Sequence, residues 1–301
     1  MTPTTFETQT REIFHEIHKI QGRNEKIFTR LLSLLTPSYL QEREDFFKGK
    51  ICLDAGCGSN ANAACSMLQH GAEKVYAFDL TDSIFETVPH YLRGFEGRYA
   101  LGVGSVLNIH FADGFFDFVH CSGVLHHSSD VATGLKELAR VTKPGGMLYI
   151  MTYGKGGLLR DIVGFLRKKY RQDSGFQAFI DGLNPKFFTE LFQFLLTSMQ
   201  AHGDAFGSKL SPELLAELFD EDLVLTIKDR VTAPVYHEHS EEELRDLLEQ
   251  CAFSSIIRIT RYPELSNFRR FLSPLYENYE SRFARLLYGS GSVQLKAVKA
   301  H

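Results

Sequence analysis

ICLDAGCGSNANAACSML, residues 51–68, runs from apolar residues into small ones with a single carboxylate between them, and then straight into helical spacing. A strand that turns at once into a helix needs a backbone free to take positive φ, and Gly56 and Gly58 stand where that freedom is needed. The first turn of the following helix has amide donors without intrahelical partners, so a ligand can approach there. The segment GCGSNA, 56–61, also fits the GxGxxG/A spacing of nucleotide-binding turns. A tight turn with no ligand uses the same glycines, so the rest of the chain has to decide between the two.

Outward from this turn the alternation continues. KICLDAG, KVYAFDL, RYALGVGS, DFVHCSGV and MLYIMTYG read as strands, and NAACSMLQHG and VATGLKELARVT read as helices between them. Strands joined by crossovers of helical length pair in parallel, with helices on both faces. The expected fold is α/β, a doubly wound, mostly parallel sheet. Before it, residues 5–36 carry Ile13, Ile17, Ile20, Ile27, Phe28, Leu31, Leu32 and Leu35 at helical spacing, broken near Gly22 and stopped before Pro37. After Gly154 come LLRDIVGFLRKKY, PKFFTELFQFLLTSM and SPELLAELF, a helical insertion. SEEELRDLLEQC then opens with Ser240 as a helix cap and Glu243 as its capping-box partner. SSIIRITRY and SVQLKAVKA give two more strands around a helical segment near 266–288. The expected units are N-terminal helices (1–44), an α/β core (45–154), a helical cap (155–235) and the completion of the core (236–301).

The 301 residues, 44% hydrophobic and 23% charged, suit a soluble globular protein, and no apolar run approaches the roughly 20 residues of a membrane span. The N-terminus MTPTTFETQTREIF lacks the basic and apolar segments of a signal peptide. Five cysteines without a CxxC pair read as reduced packing residues, which fits a cytoplasmic protein. A formal charge of −4 offers no basic field for nucleic acid, so the expected partner is a small molecule, with neither nucleic acid nor membrane. The expected assembly is a monomer or homodimer.

Asp79 ends the next strand, 21 residues after Gly58, near the spacing at which an acid holds a ribose hydroxyl pair. Asp54, two residues before Gly56, separates two cofactors. A pyrophosphate is repelled by a carboxylate fixed beside it, whereas the sulfonium-bearing methionine half of S-adenosylmethionine tolerates one. With LDAGCGSN (53–60), VYAFDLTDS (75–83), FFDFVHCSGVLHH (115–127) and ELARVTKPGGMLYI (137–150) in this order, the sequence resembles the class I S-adenosylmethionine-dependent methyltransferases. HSEEELRDLLEQCAF (239–253) resembles the helix after their fifth strand.

That resemblance implies a seven-stranded sheet with an antiparallel last strand, and S-adenosylmethionine as cofactor. It places Asp54 and Gly56 by the methionine portion and Asp79 by the ribose, with Ala55, Gly58, Asn60 and Leu80 also at the cofactor. Ser105, Val106, Ser122, Gly123 and His127 complete the cofactor site. One departure stands out: Gly104-Ser105 occupies the place where the family often has an acid for the adenine amino group.

Methyl transfer from a sulfonium is an in-line displacement that destroys charge, so alignment and water exclusion matter most. A base is needed when the nucleophile arrives protonated. The candidates are His126 and His127 after the fourth strand, Tyr153 at the tip of the fifth, and His237 in PVYHEHS, where His239 is a neighbour. Packing is the commoner role for His126, His127 and Tyr153, and capping or solvent exposure explains His237 and His239 equally well. No cysteine–histidine set has zinc spacing, so no metal is expected.

The N-terminal helices and the insertion should select the acceptor, and Phe14, Ile17, Phe165, Phe176, Phe179, Phe187 and Phe188 suit either a partly apolar pocket or a separate small core. Lys168, Lys169 and Arg171 form a short basic run that suits a solvated helix end. The expected function is methyl transfer to oxygen or nitrogen of a small molecule. The alternatives are an NAD-dependent oxidoreductase and a non-catalytic protein that binds the cofactor.

Overall fold

The computed structural model describes residues 5–203, 211–260 and 267–301, without the side chains at 5, 6, 18, 20 and 21. Ile20 of the expected apolar stripe, residues 204–210 of the expected cap, residues 261–262 of the expected sixth strand and residue 266 therefore lie outside the described residues.

Two helices come first, α1 (Thr5–Gln21) and α2 (Glu25–Leu32). The α/β run follows as β1 (Ile51–Ala55), α3 (Asn62–Gln69), β2 (Lys74–Asp79), α4 (Ile84–Tyr91), β3 (Tyr99–Val103), β4 (Phe116–Ser122), α5 (Val131–Val141) and β5 (Thr142–Tyr153). Next are α6 (Leu158–Gln172), α7 (Ser174–Gly182), α8 (Pro185–Ala201), α9 (Pro212–Leu218) and α10 (Glu221–Thr232). The chain ends with α11 (Glu241–Gln250), β6 (Phe253–Arg258), α12 (Pro274–Glu277), α13 (Arg282–Tyr288) and β7 (Ser292–Lys299).

The strands form one seven-stranded sheet in the order β3-β2-β1-β4-β5-β7-β6. Pairing is parallel from β3 to β5, and β7 runs antiparallel to both β5 and β6. Chain order reverses between β1 and β4, and the carboxyl ends of these two strands open the crevice where ligands bind in such sheets. Each face carries a core, because side chains alternate along a strand. Cys52, Met67, Leu68, Val75 and Phe118 pack on one side, and Leu53, Ala55, Val119, Leu135 and Leu295 on the other. The expected capping box of α11 is present: Ser240 Oγ accepts from the Glu243 amide at 3.2 Å, and the Ser240 amide donates to Glu243 Oε2 at 2.9 Å.

Above the crevice, α1, α2 and α10 form a roof with its own apolar contact of Ile17, Ile27 and Leu225. Asn24 caps α2 by accepting from the Ile27 amide, and its amide nitrogen donates to Glu221 Oε2 at 2.6 Å, so α2 and α10 are tied end to end. The Arg167 guanidinium of α6 donates to the carbonyls of Arg230 and Ala233, at 2.8 and 2.7 Å, and so satisfies the carboxyl end of α10. The insertion thus reaches the crevice through α10, with α6 as its support. Phe165, Phe179 and Phe187 are 66%, 45% and 38% exposed, and with Phe176 and Phe188 they stay away from the crevice. Of the apolar residues expected to shape the acceptor pocket, Phe14 and Ile17 line it.

Candidate active site

A cavity of about 410 Å³ lies between the carboxyl ends of β1, β2, β4 and β5 and the roof, within the range of small-ligand sites. Asp54, Gly56, Gly58, Asn60, Asp79, Leu80, Ser105, Val106, Ser122, Gly123 and His127 line it. Ala55 does not: as the strand neighbour of Asp54 it points to the opposite face, where it is fully buried in the core.

The floor is the turn after β1. Gly56 has φ +79° and Gly58 φ +63°. A Cβ on Gly56 would stand 2.2 Å from Val124 Cγ2, so the glycine lets the loops after β1 and β4 meet. The amides of Gly56 and Cys57 both donate to the Phe78 carbonyl, at 2.8 and 3.0 Å, and the Gly58 amide donates to Asp79 Oδ2 at 3.0 Å. Asp79 Oδ1 accepts from the Thr81 amide at 3.2 Å. The turn and the acid at the end of β2 are one hydrogen-bonded unit.

Asp54 is 1% exposed and both of its oxygens are engaged. Oδ2 accepts from the Ala64 amide in the first turn of α3 at 3.1 Å, and Oδ1 lies 2.8 Å from His120 Nδ1. His120 also lines the cavity and stacks on Tyr149 with ring centroids 5.4 Å apart. This histidine was not a sequence candidate, since in the middle of DFVHCSGV it reads as core. Beyond it, the hydroxyls of Tyr39 and Tyr149 both donate to Gln294 Oε1, at 2.6 and 2.7 Å.

The departure at Ser105 finds a partner on another element. Ser105 Oγ donates to Glu7 Oε1 of α1 at 2.5 Å and accepts from the Leu107 amide. One helical turn along, Thr10 is 4% exposed, lines the cavity, and its hydroxyl has no hydrogen-bond partner among the described residues. A further turn along, Phe14 packs on His127 with centroids 5.0 Å apart. One face of α1 therefore spans the cavity from Ser105 to His127.

The end of the cavity under α10 holds a polar cluster. His127 Nδ1 lies 3.0 Å from the Val235 carbonyl, and Nε2 lies 3.2 Å from Asp229 Oδ1. The Nε2 approach is an ion-pair distance without hydrogen-bond geometry, since Asp229 Oδ1 has no hydrogen-bond partner among the described residues. The Tyr153 hydroxyl donates to Asp229 Oδ2 at 2.7 Å. Burial, with Asp229 beside it, pushes the Tyr153 phenol up, which keeps it a donor. Burial alone would raise the Asp229 carboxyl, but His127, Tyr153 and Arg230 hold it below its usual value.

Of the candidate bases, His127 and Tyr153 line the cavity, and His126 and His237 do not. His237 is placed by its amide, which donates to the His126 carbonyl at 2.9 Å. His126 is fully buried and stacked on Tyr153 at 3.8 Å, and neither of its ring nitrogens has a hydrogen-bond partner among the described residues. Burial, then His127 and the nearby Arg160 and Arg230, hold its pKa well below the usual 6.5. Such a ring is neutral when folded and takes up a proton when unfolded. Stability from this group is thus full above pH 6.5 and falls below it by about 1.4 kcal/mol per pH unit. His126→Phe should flatten that acid slope in denaturant titrations between pH 5 and 7. An unchanged slope would contradict the buried, neutral assignment.

Residues 53–150 match the family model described as a methyltransferase domain. A demethylmenaquinone methyltransferase of Geobacillus kaustophilus is 31% identical over 141 residues, 44% of this chain and 60% of that protein. The methyltransferase GfsG of Streptomyces halstedii is 30% identical over 125 residues, 41% of this chain and 45% of that protein. The chain thus spans 60% or less of the length of these two curated relatives. Among solved structures, the fold is similar to a chain from the complex of the Haloferax volcanii Trm112 methyltransferase activator with a methyltransferase. The TM-score is 0.55 at 13% identity, covering 97% of this chain and 98% of that one. It is also similar to the Burkholderia thailandensis 1,6-didemethyltoxoflavin-N1-methyltransferase bound to 1,6-didemethyltoxoflavin and S-adenosylhomocysteine. There the TM-score is 0.52 at 15% identity, covering 100% and 92%.

Proposed function

We propose that this chain, which belongs through residues 53–150 to the class I S-adenosylmethionine-dependent methyltransferases, transfers a methyl group to oxygen or nitrogen of a small, partly apolar acceptor. The observation that carries this reading is continuity. One cavity runs from the glycine turn and Asp79 to His127, Tyr153 and Asp229, under a single roof.

The residues fit the family's cofactor. The Gly56 turn leaves the backbone open where a Cβ would collide, and the buried Thr10 hydroxyl stands unpartnered in the cavity wall. Asp79 would hold the ribose hydroxyls, and the turn from Gly56 to Asn60 would hold the methionine portion. Glu7, delivered to Ser105 by α1, would supply the carboxylate that the core itself lacks for the adenine amino group. When bound, S-adenosylmethionine supplies an electrophilic methyl group and loses its positive charge on transfer. Phe14, Ile17 and Leu225 exclude water from the acceptor end, where Asp229 can accept a proton. A cytoplasmic setting fits the free cysteines, four of them buried, and among the described residues no helix is long and apolar enough to cross a membrane.

The names of the relatives support an aromatic or quinone-like acceptor: one acts on demethylmenaquinone and a fold neighbour on 1,6-didemethyltoxoflavin. Labelled methyl transfer from S-adenosylmethionine across a panel of phenols, heteroaromatic amines and quinols tests the reading. Labelled product with at least one acceptor supports it, and no product with any favours a non-catalytic binding protein. Glu7→Gln should weaken S-adenosylhomocysteine binding about tenfold or more, the usual worth of a charge-assisted hydrogen bond. Equal affinity in calorimetry would remove Glu7 from adenine recognition.

A further inference from the structure

Four arginines other than Arg230 stand around the acceptor end, and each is committed. Arg160 donates to the Gly154 and Gly291 carbonyls at 3.2 Å each and to the Tyr236 hydroxyl at 2.6 Å. Arg167 caps α10, as described above. Arg30 pairs with Asp222 at 2.8 Å, and Arg269 shares the same carboxylate while also donating to Asn267 Oδ1. In these four, the guanidinium ties one element to another.

Arg230 differs. It lines the cavity, and its Nε is shut off from solvent without a hydrogen-bond partner. Among the described residues its guanidinium makes no ion pair. The guanidinium carbon lies 5.1 Å from the centroid of the Tyr153 ring. The neighbouring carboxylate, Asp229, is taken by Tyr153 and His127. The residue is half-buried in the cavity wall, and its Nε, shut off from solvent with no acceptor, is a desolvated donor left unpaired at a cost. A planar anion laid along its donors removes that cost.

We propose that Arg230 is the anion-binding residue of the acceptor site and that the acceptor carries a carboxylate. This rests on the methyl-transfer reading and names the substrate class for it. Asp229 and Arg230, adjacent on α10, then divide the acceptor between them. Asp229 faces the hydroxyl or N–H that is to be methylated, and Arg230 grips the carboxylate. The planar fork of the guanidinium matches carboxylate and phosphate alike, whereas the apolar Phe14, Ile17 and Leu225 that line the same cavity suit the flat body of an aromatic acid.

The test uses the full chain saturated with S-adenosylhomocysteine, whose own binding is measured first by calorimetry. Three acids, 4-hydroxybenzoate, indole-3-acetate and 3-hydroxyanthranilate, are then titrated against their methyl esters, with inorganic phosphate as a further arm. At least one acid should bind ten times more tightly than its ester, and phosphate should not compete. Arg230→Met should bring that acid to the level of its ester while S-adenosylhomocysteine affinity holds. Arg230→Lys should keep part of the preference. Acids no tighter than esters, no acid bound at all, a preference that survives Arg230→Met, or phosphate as the tightest ligand each overturns the assignment. A wild-type chain that does not bind S-adenosylhomocysteine overturns the methyl-transfer reading itself, which separates the two failures.

Discussion

Asp229→Asn is expected to lower kcat about 100-fold, the scale of a lost general base, with S-adenosylhomocysteine affinity unchanged. The expectation follows from elimination at the acceptor end. His126 has no access to the cavity, and His237 does not line it. Both nitrogens of His127 face acceptors, and the Tyr153 hydroxyl already gives its hydrogen to Asp229. Asp229 lines the cavity, and its carboxylate, though it already accepts from Tyr153, is the one acceptor-only group among them. Its carboxyl is held below the usual value, so it stays ionised well into acid. A base must be ionised to act, and a depressed pKa moves the acid limb of the kcat profile below the range of a free imidazole. Such a weak base suits an acceptor whose proton is itself acidic, a phenol or a heteroaromatic N–H. Wild-type kcat in the Asn variant would remove Asp229 from proton transfer.

The second large effect is at the opposite end. Gly56→Ala combines a backbone cost of roughly 1–2 kcal/mol for an L-residue at positive φ with the collision of its Cβ against Val124. Overpacking of this kind adds about 1–3 kcal/mol. The turn is bonded through Phe78 and Gly58 to Asp79, so relief of the clash displaces the acid that we propose holds the ribose. S-adenosylhomocysteine affinity should fall about 30-fold or more, the equivalent of roughly 2 kcal/mol. Adding Val124→Ala removes the opposing methyl groups and leaves the backbone cost, so the double variant should recover part of the loss. Wild-type affinity in Gly56→Ala, or no recovery in the double variant, would contradict the close-approach explanation.

The sheet was legible because its signals are local: apolar runs of strand length, crossovers of helical length, and glycines where β1 must turn. Gly56, Gly58 and Asp79 lie within one β-α-β unit, and nearest-neighbour topology brings them together. Asp54 was legible as a carboxylate at the turn, but not in its duties. It lines the cavity as expected of a residue beside the turn, and in addition its oxygens bind α3 and His120, which no local pattern announces. Glu7, Asp229 and Arg230 were not legible, since each arrives on a helix from outside the α/β core and nothing in its own segment marks it. The insertion's phenylalanines were legible as a separate cluster or a pocket wall, and the structure keeps Phe165, Phe176, Phe179, Phe187 and Phe188 away from the cavity. Helical spacing tells which residues share a face and not what that face meets.

The central claim is that one cavity receives S-adenosylmethionine and an acceptor together. Calorimetry of the full chain with S-adenosylhomocysteine and with NAD tests it most directly. The expected result is single-site binding of S-adenosylhomocysteine, weakened by Glu7→Gln and Gly56→Ala, and no heat from NAD. Binding of NAD with none of S-adenosylhomocysteine would contradict it and return the turn at residues 56–61 to a dinucleotide.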